Sequence, residues 1–497
     1  MPDVVVVGSG PNGLAAAVLC ARSGLDVLVL EGQDSAGGGA RTLPLVTDEI
    51  GPEAGLLRDV CAAVPAAGVS SPFFREFDLA ARGVRLLTPE VSYAHPLPGG
   101  RAALAWRDLE RTAEGLGADG QRWRQLLGPL AVDGAALADV ALSDKRSLPT
   151  DPTDRAWWPS PRHARAGLAL GVATAALAHP VMDRLWRTPE APALLTGVAA
   201  HTILPLPSAG AAGASAYLAG VAHADGWPLV AGGIGEVTRA MVEDLRAHGG
   251  RLETDRPVSS RADLPPARAY LMDTHAHVLA DMLRDPWRSR LRRLPPGGAV
   301  CKVDLVLSGP VPWADPEVGR AGTVHVGGHV DELRAAETTT ADGHHAARPT
   351  MLVSEPARHD PGRLGAGGLH PVWAYAHVPW DSGRDITGEA LRQLERFAPG
   401  VSDLVVGARA LPAAALSAHN AAYPGGDISG GSTRLWSMVA RPGAQWDPYR
   451  VAHGVYLCSA STPPGPGVHG MSGWHAARRL LGREFGIGSL PSLRPDA

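Results

Sequence analysis

Asp3-Val4-Val5-Val6-Val7-Gly8-Ser9-Gly10-Pro11-Asn12-Gly13, followed by Val27-Leu28-Val29-Leu30-Glu31, is the stretch that decides the fold of this chain. Four consecutive valines read as a strand buried on both faces, the habit of parallel sheets. Gly8, Gly10 and Gly13 then permit a tight turn, a close approach of backbone to a pyrophosphate and tight packing of helix on strand, with Ser9, Pro11 and Asn12 filling the turn. The helix that follows, about Gly13 to Ser23, aims its unpaired N–H groups and positive dipole end at the phosphates. Glu31 ends the second strand, where a carboxylate reaches the hydroxyls of an adenosine ribose. A glycine-rich turn alone is a weak signal. Strand, helix, second strand and terminal acid in register predict dinucleotide binding.

Gln33 to Thr42 reads Gln-Asp-Ser-Ala-Gly-Gly-Gly-Ala-Arg-Thr, a second glycine turn carrying an arginine. It is similar to the GG-x-x-R-T segment of FAD-dependent oxidoreductases, in which Gly38, Gly39, Arg41 and Thr42 would wrap the pyrophosphate from the other side. A domain that binds NAD alone has no use for it, so the expected cofactor is FAD.

At 497 residues the chain exceeds what one hydrophobic core serves, so two domains are expected. A hydrophobic fraction of 45% with 19% charged residues describes a globular protein, and a net charge of −4 argues against nucleic acid as a partner. Lysine occurs only at Lys145 and Lys302, an arginine-for-lysine bias that, with abundant Ala, Gly and Pro, points to GC-rich coding rather than to a ligand. Cys20, Cys61, Cys301 and Cys458 are scattered, which fits a reducing cytoplasm and excludes a redox centre of adjacent cysteines. No basic segment precedes the first apolar run, so it does not read as a secretory signal. The longest apolar helical candidate, Ala166 to Ala178, is too short to span a bilayer; peripheral membrane contact and homo-oligomerisation stay open.

Beyond about residue 45 the βαβ rhythm stops. From Gly51 to about Ala224, Pro-rich turns such as Ala94-His95-Pro96-Leu97-Pro98 alternate with Ala-rich helical stretches. Gly232-Gly233-Ile234-Gly235 opens a helix, Glu236 to His248, followed by a short strand near Arg251 to Thr254. Alternation at Val300 to Leu307 and Thr323 to Val326, with apolar runs at Met351 to Val353 and Val372 to His377, predicts a separate sheet. The C-terminal unit is a strand from Gly454 to Ala460, a turn Ser461 to Gly470, and a helix from about Ser472 through Leu481. That turn, Ser461-Thr462-Pro463-Pro464-Gly465-Pro466-Gly467-Val468-His469-Gly470, presents a helix N-terminus where negative charge gathers on a reduced flavin.

In these segments the chain resembles the phytoene desaturase-like FAD-dependent oxidoreductases, in the bacterial branch related to pyridine nucleotide-disulfide oxidoreductase domain-containing protein 2. Further stretches that carry the resemblance are Ser71-Pro72-Phe73-Phe74, Tyr93-Ala94-His95-Pro96-Leu97, Gly226-Trp227-Pro228, Lys302-Val303-Asp304, Thr323-Val324-His325, His377-Val378-Pro379, Gly425-Gly426-Asp427-Ile428 and Tyr456-Leu457-Cys458-Ser459-Ala460. The resemblance implies an α/β fold: a Rossmann-type FAD-binding domain, GR2-like and discontinuous (residues 1–50, 226–296 and 434–497), with an inserted α+β substrate domain (51–225 and 297–433). It implies Val258 near the adenine, and Ala460, Gly467, Val468 and Met471 on the flavin side. Two departures stand out. Asp273-Thr274-His275-Ala276-His277 replaces a Thr-Pro pair expected after the third nucleotide-domain strand, and Pro466 replaces a glycine.

His469 is the best-placed candidate catalytic residue, with helix capping as the equal alternative. Tyr375, His377, Asp427 and Arg441 belong to segments expected to line the substrate domain. His275-x-His277 and His344-His345 lack a Cys or acidic partner at ligand spacing, so no metal site is expected. No GxSxG elbow or phosphate-loop lysine occurs.

The leading reading is a dehydrogenase, desaturase or oxidase that moves a hydride from a small-to-medium apolar substrate to flavin N5, with oxygen, a quinone or NAD(P) as electron acceptor. The alternatives are a redox-neutral polyene isomerase, an amine oxidase in which Lys302 holds a water near N5, and a flavin-bearing interaction protein without chemistry.

Overall fold

The computed structural model describes residues 1–68, 70–144 and 160–495; Lys145 lies outside them. Two sheets organise the chain. The first has six strands in the spatial order Arg450–Ala452, Val455–Leu457, Ala269–Met272, Val4–Val7, Val27–Leu30, Arg251–Glu253. All neighbours are parallel except Arg450–Ala452, which forms a hairpin with Val455–Leu457. Val4–Val7 is central and buried on both faces. Val4 and Val6 pack with Val27 and Val29 under the helices Pro11–Arg22, Gly235–Ala247 and Met471–Phe485. Val5, Val7, Leu28 and Leu30 pack on the other side with Leu279 and Ala280 of the helix Ala276–Met282. An unbroken apolar run is therefore what this strand requires, since each face must be covered. Helices 11–22 and 471–485 touch closely: a Cβ on Gly473 would stand 1.9 Å from the Asn12 carbonyl oxygen.

The second sheet has seven strands in the order Val405–Leu411, Ala299–Leu307, His370–Val378, Met351–Ser354, Ala321–Val326, Val91–Leu97, Arg101–Trp106. Its pairs are antiparallel apart from Ala321–Val326 with Val91–Leu97. The side-chain period of two divides it cleanly. Cys301, Val303, Leu305, Val324, Val326, Met351, Val353, Val372, Ala374 and Ala376 face one way, into a core closed by the helix Thr387–Glu395. Val300, Leu352, Trp373 and Tyr375 face the other way, toward Ala63, Ile203, Leu416, Tyr423 and Ile428.

The strands at Val91–Leu97 and Arg101–Trp106 correct the sequence reading, which gave this region only Pro-rich turns and helices. Pro96 misled it. The parallel pairing of this strand with Ala321–Val326 ends at Ala94, so Pro96, which lacks an N–H, comes after the last pair of that ladder. At the start of the stretch 434–497 lies the helix Leu435–Ala440. The apolar Ala166–Ala178 stretch lies in the helix Pro161–Ala178, and among the described residues no helix is long and apolar enough to cross a membrane.

Candidate functional site

The valine strand delivers the chain into Gly8 with φ +91°, a conformation open to glycine. Ser9 then donates from its backbone N–H to Glu31 Oε2 at 2.9 Å, and its hydroxyl donates to the same oxygen while accepting the Gly37 N–H at 3.1 Å. Glu31 thus ties the first turn to the end of the second strand, and its Oε1 accepts the Gln33 N–H at 3.0 Å. The helix opens with Pro11 at its first position and no acid in its first turn, which leaves its positive end uncompensated by its own side chains. Asn12 Oδ1 is buried there without a hydrogen-bond partner. A glycine-lined turn, an orphaned polar atom and a carboxylate at the strand end together fit a dinucleotide.

Across from it lies the arginine turn. Gly38 stands over Gly10: a Cβ there would lie 3.1 Å from the Gly10 Cα. Arg41 is buried, donates from Nε to the Gly38 carbonyl at 3.0 Å and pairs through Nη2 with His419 Nε2 at 3.0 Å. Burial lowers the Arg41 pKa, opposed by Glu31 and Asp34, and pushes His419 down to about 4, helped by Arg41, Arg58 and Arg409. Thr42 Oγ1 donates to Asp59 at 2.6 Å and accepts the Gly235 N–H at 2.8 Å, so it fastens this turn to the helix Gly235–Ala247. Tyr423 abuts Gly39, whose Cβ would fall 1.9 Å from the phenol oxygen.

The C-terminal turn closes the third side. His469 is fully buried, accepts the Met471 N–H on Nδ1 at 3.0 Å and meets the Gly465 carbonyl through Nε2 at 3.1 Å. Both ring nitrogens serve the turn, and burial lowers its pKa to about 4. His469 thus caps the last helix, and burial favours its neutral ring. The Val468 carbonyl lies against Gly68, whose Cβ would come within 2.2 Å of it. Val258 is half-buried against the layer of Val5, Val7, Leu28 and Leu30.

Asp427 and Arg441 likewise bind loop backbone. Asp427 accepts N–H bonds from Gly297, Ser429 and Gly431 at 2.7, 2.8 and 2.8 Å, with His275 Nε2 3.7 Å away. Arg441 donates to the carbonyls of Ser429, Gly431, Ser432 and Ala460, so Ala460 is held from behind. Burial brings Arg441 down to about 10, opposed by Asp427. The pair clamps the loop 427–432 against the end of the C-terminal strand.

Tyr375 and His377 remain as candidates that face the cradle. They stack on each other with ring centroids 5.9 Å apart, on the sheet face that looks toward Tyr423. His377 Nδ1 is 2.6 Å from Glu337 Oε1, contributed by the helix Val330–Ala341, while His377 Nε2 and Glu337 Oε2 are buried without partners. Three further imidazoles adjoin it. His201 Nε2 lies 2.7 Å from His325 Nε2, and His95 Nε2 lies 2.7 Å from the Gly328 carbonyl. Gly197 lets the helix Glu190–Ala199 settle onto this face, since a Cβ there would stand 2.8 Å from His325 and 2.9 Å from His95. Burial lowers His95 to about 4 and His201 to about 3, and drives His325 well down, so these rings are neutral. Tyr93 Oη, His95 Nδ1 and His325 Nδ1 are also buried without partners. No group that could hold a metal occurs among the described residues.

Lys302 occupies the same face, opposite Tyr375 in register, but its ammonium is paired with Asp304, which also lies 3.6 Å from Arg58. Sequence reasoning missed Glu337, His201, His419 and Tyr423. Glu337 follows Asp331 and Glu332 on one helix with nothing to mark it, and His201 stands alone between helices.

The fold and this turn are those of a Rossmann-like dinucleotide-binding domain joined to a second sheet. Residues 6–56 match the family described as NAD(P)-binding Rossmann-like domain. Hydroxyneurosporene desaturase of Cereibacter sphaeroides is 47% identical over 62 residues, 12% of this chain and 12% of that protein. Pyridine nucleotide-disulfide oxidoreductase domain-containing protein 2 of Rattus norvegicus is 25% identical over 553 aligned positions, which cover 96% of this chain and 92% of the rat protein. A triple mutant of putrescine oxidase redesigned in its cofactor binding superposes with a TM-score of 0.60 at 16% identity, covering 96% of this chain and 97% of that one. The chain thus matches about an eighth of the desaturase and nearly all of the rat protein, and it shares the fold of putrescine oxidase.

Proposed function

We propose that the protein dehydrogenates a small-to-medium, largely apolar organic molecule, with FAD as hydride acceptor and His377 as proton acceptor. The observation that carries this reading is the continuity of the inner sheet face. An apolar and aromatic patch of Val300, Leu352, Trp373, Tyr375, Ile203 and Ile428 begins at Tyr423, beside the arginine turn, and ends at His377. Gly8, Gly10 and the start of helix 11–22 would hold the pyrophosphate with Gly38, Gly39 and Arg41; Glu31 the ribose; Gly467, Val468 and Met471 the ring. Bound there, FAD supplies a two-electron acceptor at N5. Tyr375 and Trp373 would seat the substrate by apolar contact. Glu337 fixes the His377 ring by accepting from Nδ1–H, which leaves Nε2 to take the proton lost from the carbon next to the hydride donor.

An amine oxidase is the second reading, favoured by the putrescine oxidase likeness and by the position of Lys302. The pairing of Lys302 with Asp304 speaks against a lysine free to hold a water.

The test is anaerobic reduction of the holoenzyme by a panel of cyclic and acyclic terpenoid, polyene and amine compounds. Reduction by an apolar hydrocarbon or alcohol, slowed about 10²-fold or more in His377→Gln with bound flavin intact, is the expected result. Reduction by amines alone would overturn it.

A further inference from the structure

The glycines of the first turn make room for a carboxylate. Asp273 ends the strand Ala269–Met272, and its backbone N–H donates to the Val7 carbonyl at 2.7 Å. Its side chain turns under the loop, where Oδ2 accepts the Gly13 N–H at 2.8 Å. A Cβ on Gly10 would stand 2.6 Å from Asp273 Oδ2, one on Gly13 2.8 Å from the same oxygen, and one on Gly8 2.5 Å from the Asp273 carbonyl oxygen. Gly8, Gly10 and Gly13 thus all pack against this one residue. It occupies an N–H of the very helix end whose other amides would face a pyrophosphate, and Asn12 Oδ1 lies buried and unpartnered in the same turn.

The groups that face Asp273 are Glu31 from the end of the second strand, the Cys458 thiol from the C-terminal strand and the Tyr423 phenol from the loop after helix 413–419. None is a cation. Burial pushes the Asp273 carboxyl up to about 7, with Glu31 adding to the rise and the Gly13 N–H opposing it. Arg41 lies near Glu31 but not against Asp273, and a pyrophosphate on the opposite side of the same turn would add two more negative charges beside the Asp273 carboxyl.

We propose that Asp273 is a cofactor-positioning residue that takes up one proton from solution as FAD binds. The inference rests on the FAD reading above. Above neutral pH the unloaded protein holds Asp273 as carboxylate; the loaded one holds it as the neutral acid, whose carbonyl oxygen keeps the Gly13 N–H. Dinucleotide affinity then falls as pH rises through and above neutrality, by up to about tenfold per pH unit, because one proton is bound with each FAD.

Isothermal titration of the full chain, stripped of flavin, with FAD at pH 8 in phosphate and in Tris separates the binding heat from the buffer's ionisation heat. The expected result is close to one proton taken up per FAD at pH 8, falling toward zero at pH 6, with uptake abolished and affinity nearly independent of pH in Asp273→Asn. Zero uptake in the unsubstituted chain overturns the proposal. So does uptake that persists in Asp273→Asn, which moves the proton to another group such as His419. Asp273→Ser serves as the second neutral variant should the amide not fold. Absence of any FAD binding by the unsubstituted chain defeats the cofactor reading itself, a result distinct from FAD bound without a proton.

Discussion

Lys302 sits in a buried charge cluster whose balance predicts which substitution the protein tolerates. The cluster runs from Lys302 to Asp304, from Asp304 to Arg58 at 3.6 Å, and in the neighbouring strand from Asp59 to Arg363 at 3.1 Å. All five side chains are buried, and burial lowers the pKa of Lys302 and of Arg58, opposed in each case by Asp304. Three cations therefore share two carboxylates. Lys302→Met removes the surplus charge and leaves two of each sign, with a side chain that suits the face of Trp373, 5.0 Å from the ammonium. Asp304→Asn leaves three cations with one carboxylate. Removing one partner so that buried charge stays uncompensated costs about 3–5 kcal/mol, whereas an ordinary point change costs about 1 kcal/mol. Urea unfolding followed by tryptophan fluorescence and circular dichroism, on the flavin-loaded protein at pH 7.5 or so, measures both. Asp304→Asn should fall by about 3 kcal/mol or more and Lys302→Met by about 1 kcal/mol. Equal losses, or a larger loss for Lys302→Met, would refute the charge-balance argument. The same Lys302→Met protein, folded, should still be reduced by an apolar substrate.

Three more outcomes follow from the packing and the titrations. Gly473→Ala drives a methyl into the Asn12 carbonyl, 1.9 Å from the new Cβ, and backbone on both sides leaves no flexible neighbour to give way; a loss of about 2–3 kcal/mol and weaker FAD retention are expected in thermal unfolding with flavin fluorescence as the readout. Glu31→Gln keeps one oxygen for the Ser9 pair but turns its NH2 toward the Gln33 N–H and loses the charge, so FAD affinity should drop about tenfold in equilibrium dialysis, with a stability loss of about 1 kcal/mol. His95, His201 and His469 are held near 4, 3 and 4 when folded against 6.5 ordinarily, so each favours the native state fully above pH 6.5 and gives that up as pH falls toward its folded value. Acid titration should show stability declining below about pH 6.5, by up to about 1.4 kcal/mol per pH unit for each histidine, and His201→Gln should flatten the slope.

The nucleotide sheet was legible because its signals are local. Val4–Val7, the glycines and Glu31 stand within one βαβ unit, and the turn and the strand end each carry their own chemistry. The strands Ala299–Leu307 and His370–Val378 were visible from their apolar content, but the division of labour between their faces was not used: Lys302, Asp304, Tyr375 and His377 alternate with Cys301, Val303, Ala374 and Ala376, and that period of two marks the inner face. The imidazole cluster is a different matter. His95, His201, His325 and His377 lie on four separate elements, brought together by strand register and by the gap at Gly197, and no spacing along the chain encodes such a meeting. Asp273 drew notice as a departure from pattern; only the close approach of three glycines gave it a meaning. His469 stands out in the sequence because its turn is well placed, and the structure adds that its ring satisfies two backbone groups of that turn.

The central claim is that this cradle carries FAD for redox chemistry, and the anaerobic visible spectrum of the purified protein, before and after addition of a candidate substrate, tests it most directly. The account predicts flavin bands near roughly 375 and 450 nm, release of FAD on denaturation, and loss of the long-wavelength band when an apolar substrate is added. A colourless protein that takes up no FAD from solution would contradict it.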